Sequence, residues 1–132
     1  MARALLLIGG ILNLAFGTFH IGLFWGLQAA AGLSTSVRSL VLALNGAVIL
    51  SVLFLAVASL FFRADLLATG LGRLTLGLAA ALYLSRAAEE FFLFKFTPVV
   101  FGACSTVGAL YVAILVMTLR TPGPRPGTQA VA

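Results

Sequence analysis

Four long apolar stretches, separated by short polar breaks, fill almost the whole chain. They run over 4–33, 39–62, 73–94 and 98–119. Each is long enough to cross roughly 30 Å of hydrocarbon as a helix. The breaks carry helix-start chemistry. Ser34, Thr35 and Ser36 offer capping oxygens before the second helix. Asp65 is placed to cap an early, interfacial start of the third. Thr97-Pro98 sets a hydroxyl ahead of a proline at the first helical position, a strong start for the fourth.

Short connections force neighbouring helices to run antiparallel. The predicted fold is therefore all-α integral membrane, an up-down-up-down four-transmembrane-helix bundle. Residues 1–120 form one transmembrane domain. Residues 121–132 contain three prolines and little apolar content, and are expected to be a disordered cytoplasmic tail. Arg3 followed by an apolar run resembles a signal peptide, but the run continues past the usual length and no small-x-small site breaks it. It is read as a span.

Composition strengthens the membrane reading. Of 132 residues, 62% are hydrophobic and only 8% charged, against about a quarter charged in a soluble domain. The net charge of +5 comes from eight Lys/Arg scattered singly, with no basic stripe. Such charge sets topology and touches headgroups, and nucleic acid is not an expected partner. Arg3, Arg63, Arg73, Arg120 and Arg125 fall on one side, and Arg38, Arg86 and Lys95 on the other. The more basic side faces inward, so both termini are placed in the cytoplasm of a multi-pass cell-membrane protein. The single cysteine, Cys104, excludes an intrachain disulfide. It reads as a small packing residue beside Gly102 and Gly108.

Against this apolar background the polar residues stand out. Gly10, Asn13, Gly17, His20 and Phe24 repeat at three- and four-residue intervals, one stripe of the first helix. Lipid offers such groups no partner, so the stripe is a helix–helix interface. Asn13 and Asn45 are expected to link helices. Gly22 and Gly26, extended by Ala30, form a separate small-residue ridge, suited to packing in the bundle or to a homodimer seam. His20 lies roughly 25 Å from Arg3 along the helix, in the outer half of the bilayer. Trp25 follows at belt depth.

Two of the three acids, Glu89 and Glu90, stand side by side, with Arg86 three and four residues before them. Both spacings allow a salt bridge on one helix. Two carboxylates with one arginine leave a surplus acid, suited to proton transfer or cation binding. The competing reading is a self-neutralised outer turn. Phe91, Phe92, Phe94 and Phe96 with Lys95 read as an interfacial anchor.

All four stretches bring polar groups to the outer half, while the inner half is aliphatic apart from Ser59 and Thr75. This predicts an outer-leaflet polar pocket with His20, Asn45, Tyr83, Arg86, Glu89 and Glu90 as ligand-binding residues. No ligand spacing supports a metal, and no cofactor is expected. There is no Gly-x-Ser-x-Gly, phosphate loop or His-Glu-x-x-His. Residues 88–94 are similar to the acidic segment of small heterodimeric carotenoid cyclase subunits, but Ala87 stands where those carry a proline. The match spans under ten residues and assigns no family.

The expected function is that of a small polytopic membrane protein, its polar pocket holding a small amphipathic, lipid-like ligand or a membrane partner subunit. Two alternatives use the same residues. One is an intramembrane enzyme doing acid–base chemistry on an isoprenoid or sterol-like lipid, with His20, Glu89 and Glu90 as catalytic candidates. The other is a proton- or cation-coupled transporter, which lacks polar groups in the inner half and would need to dimerise.

Overall fold

A computed structural model describes residues 1–92 and 96–120. The expected anchor residues Phe94 and Lys95, and the expected disordered tail with Arg125, lie outside the described residues. Five helices follow one another: α1 (Ala2–Ala29), α2 (Thr35–Phe61), α3 (Arg63–Ala68), α4 (Gly70–Phe92) and α5 (Pro98–Arg120). No strand occurs among the described residues.

Three of these helices, α1, α2 and α5, are long and apolar enough to cross a membrane. At about 1.5 Å per residue they measure roughly 42, 40 and 34 Å. Their exposed positions agree with that setting. Leu44, Leu50, Phe54, Val99 and Leu119 all point outward, where water would penalise them and acyl chains would not. α4 is as long as α5 but carries Arg73, Arg86, Glu89 and Glu90, and is not among the three.

The chain divides into two compact units, one of Leu6–Arg63 and one of Met1–Leu5 with the chain from Ala64 onward. In the first, α1 and α2 run antiparallel. Leu60 packs on Gly10 and Leu53 on Gly17, so the partner's number falls as the first rises. A Cβ would approach these leucines to 2.6 and 2.9 Å, which explains the glycines. The predicted small and polar stripe is therefore the α2-facing face of α1. At Gly22 and Gly26 a Cβ would meet nothing within 4 Å, so that ridge packs against no described neighbour.

The turn between the two helices is closed at both ends. Gly32 takes a φ of 91°, a conformation that glycine adopts without penalty. Ser34 accepts the Val37 amide as N-cap, and the Arg38 guanidinium donates to the Ala30 carbonyl at 2.8 Å. These contacts satisfy backbone groups that a helix end leaves unpaired.

In the second unit α4 and α5 form an antiparallel hairpin. Leu84 lies on Gly108, Tyr83 stacks on Tyr111, and Leu115 sits near Gly77. The start of the third apolar stretch differs from expectation. Asp65 lies in the first turn of a separate six-residue helix, α3. Thr69 then ends α3 and begins α4 with one hydroxyl, which donates to the Asp65 carbonyl at 2.8 Å and accepts the Gly72 amide at 2.9 Å. One side chain thus satisfies groups at two helix ends, and this makes the break.

Candidate functional site

The candidate residues fall into two sets, one in each unit. The first set is built on the α1 stripe. Asn45, buried on α2, faces His20, and the two side chains meet through His20 Nδ1 and Asn45 Oδ1 at 2.7 Å. The same amide donates from Nδ2 to the His20 backbone carbonyl at 2.9 Å. Asn45 thereby grips one residue at two points and performs the helix linking expected of it. Asn13 is fully buried and donates to the Gly9 carbonyl one turn back, at 2.7 Å.

Removing this grip gives a measurable result. Asn45→Ala should lower the stability of the α1–α2 pair by about 1–2 kcal/mol, taking about 0.6 kcal/mol per interhelical bond and adding the cavity. A thermal unfolding midpoint unchanged from wild type would contradict it.

The second set lies at the end of α4. Glu90 is only 2% exposed, and both of its oxygens are occupied. Oε1 takes the Arg86 guanidinium at 2.7 Å, one helical turn back. Oε2 accepts the Thr97 backbone amide at 2.9 Å, from the start of α5. Thr97 adds a side-chain hydrogen bond. The amide just before Pro98 is one that a helix start leaves unpaired, so Glu90 caps α5 from the preceding helix.

Glu89 is the surplus acid. Among the described residues it pairs with Arg86 Nη1 at 3.7 Å, beyond hydrogen-bond distance. The Arg86 and Glu89 side chains are 38% and 41% exposed. The two adjacent carboxylates thus have different circumstances, because successive helical residues point about 100° apart.

Around these charges the hairpin is aromatic and tight. Tyr83 and Tyr111 are buried, with ring centroids 6.4 Å apart and planes at 10°. Cys104 is buried on α5, consistent with a packing role. Phe91, Phe96 and Phe101 cluster with centroids 5.1–5.6 Å apart, and Phe92 projects outward. Several hydroxyls turn back onto their own helices. Ser85 donates to the Leu82 carbonyl, Thr106 to Gly102 and Thr75 to Leu71. Among the described residues no group of three or more His, Cys, Asp or Glu could hold a metal ion.

The Thr97 amide and the Arg38 guanidinium were not singled out by sequence reasoning. Thr97 was recognisable as a helix start, but its acceptor lies seven residues back, across the turn. Arg38 gives no periodic signal at all. Together these features define a helical chain with three helices long and apolar enough to cross a membrane, and two sets of polar side chains. No family model matches the chain, and no curated protein or solved structure matches it either.

Proposed function

We propose that this chain is a polytopic membrane protein that binds a small amphipathic molecule at the Arg86–Glu89 end of α4. All four long helices cross the bilayer in this reading, up-down-up-down, with both termini in the cytoplasm. α4 crosses with Arg86, Glu89 and Glu90 at the outer end, where charged groups meet headgroups rather than acyl chains.

The observation that carries the reading is the unequal state of the two acids. Glu90 is consumed by Arg86 and Thr97. Glu89 and Arg86 remain about 40% exposed at a separation longer than a hydrogen bond. The Arg86 guanidinium is turned inward, with Nη2 on Glu90 and Nη1 buried, so Glu89 is the charge that this end of α4 presents. An exposed carboxylate suits an ammonium group. Exposed Phe91, Phe92 and Phe96 in the same hairpin offer apolar contact for the rest of an amphiphile.

Native mass spectrometry of the protein from mild detergent tests this, with wild type beside Glu89→Gln. Wild type should retain a small molecule that the variant loses. The variant's stability should stay within about 0.5 kcal/mol of wild type, as for other exposed charge changes. Apo masses for both proteins, or equal retention by both, would overturn the proposal. A second polypeptide in the wild-type spectrum would replace the ligand with a partner subunit.

A further inference from the structure

We infer that Asn45 fixes the His20 ring with its proton on Nδ1, so that Nε2 serves as a hydrogen-bond acceptor for the hydroxyl of a neutral amphiphile. The first step is donor and acceptor accounting. The His20 backbone carbonyl only accepts, so the Asn45 atom 2.9 Å from it is the amide nitrogen. The other amide atom is then the oxygen, and it lies 2.7 Å from His20 Nδ1. An amide oxygen only accepts, so Nδ1 carries a hydrogen. In the neutral ring the remaining nitrogen, Nε2, is left with a bare lone pair. The backbone carbonyl thus settles both the amide orientation and the tautomer.

The second step concerns what meets Nε2. No hydrogen bond to it is made within the α1–α2 unit. The ring is half-buried, and Nε2 is not among the sealed atoms that lack a partner. His20 sits on a helix long and apolar enough to span a membrane, where water is scarce and an unmet polar atom is costly. A ring nitrogen whose opposite N–H is anchored by a side-chain oxygen is oriented in the way that metal-ligating and catalytic imidazoles are. Among the described residues His20 belongs to no group of three or more His, Cys, Asp or Glu that could hold a metal ion. An ammonium donor would carry its charge into the bilayer at a penalty of a few kcal/mol. A neutral hydroxyl makes the bond without that penalty.

This rests on the reading that the chain takes up an amphipathic molecule, and it adds the chemistry of one recognised group. His20 is the only histidine, so nitrogen NMR of protein labelled with ¹⁵N-histidine in nanodiscs reports this ring alone. In alkaline buffer wild type should show Nδ1 as the protonated nitrogen and Nε2 as the bare one. Dodecan-1-ol should move the Nε2 signal in the direction of hydrogen bonding. Dodecyl methyl ether, which has no donor, should leave it unmoved. Asn45→Ala should release the tautomer to exchange.

A protonated Nε2 in neutral wild type would overturn the inference, as would an equal response to alcohol and ether. The decisive comparison is made on wild type, so poor folding of the variant leaves it intact. A ligand retained in mass spectra with a ring silent to alcohol would sink this inference alone. A ring that responds to alcohol, beside wild type and Glu89→Gln that both run as apo protein, would support it and remove the Glu89 site.

Discussion

Glu90→Ala should destabilise the protein more than any other single charge removal, while Glu89→Ala should leave stability close to wild type. Identical residues one position apart thus give opposite outcomes. The difference follows from what each carboxylate touches. Glu90 is buried between the Arg86 guanidinium and the Thr97 amide. Losing the acceptor for the Thr97 amide is worth about 1–3 kcal/mol by itself. Arg86 also loses its closest partner, with an effect moderated by its own 38% exposure. Glu90→Gln separates the two contributions. Its amide oxygen still accepts from Thr97, whereas the ion pair is gone, so it should fall between wild type and alanine. Unfolding midpoints of the four proteins check this ordering. Equal midpoints for the two alanine variants would remove the turn clamp from the account.

Gly72→Ala should destabilise the second unit, contrary to the usual result of replacing glycine in a helix. Alanine is ordinarily favoured over glycine there by about 1 kcal/mol. At Gly72, however, a Cβ would stand 2.5 Å from the Asp65 carbonyl oxygen and from the Leu66 Cα and carbonyl oxygen. All three are backbone atoms, so no side-chain rotation relieves the clash, and the α3–α4 elbow must open. Overpacking of this kind costs about 1–3 kcal/mol and sometimes more, which outweighs the helix preference. Gly102 supplies the control, because a Cβ there meets nothing within 4 Å. Gly102→Ala should be neutral or stabilising by up to about 1 kcal/mol. If both alanine variants raised the unfolding midpoint alike, the close approach at the elbow would be refuted.

The parts of this molecule that were legible beforehand are those written in local chemistry. Ser34 and Thr97-Pro98 announced helix starts because capping needs only neighbouring residues. The Gly10–Phe24 stripe announced an interface because a 3.6-residue period is visible in one helix alone. The α3–α4 break was not legible, since Thr69 acts there through its hydroxyl at both helix ends, and Asp65 pointed to a single early start of the third helix. Arg86, Glu89 and Glu90 were legible as a cluster. Their division of labour was not, because it depends on which carboxylate faces an amide seven residues away. His20 and Asn45 each stood out as polar in apolar surroundings, whereas their pairing required the register of α1 on α2.

The reading depends most on whether α4 crosses the membrane. Four crossings place both termini on one side, whereas the three apolar helices alone would place them on opposite sides. Reporters of compartment fused separately to each terminus decide between these directly. The account predicts that both report cytoplasm, with Arg86, Glu89 and Glu90 at the outer end of a true span. A C-terminal reporter on the outside, with the N-terminal one still in the cytoplasm, would contradict it and place α4 along the membrane surface.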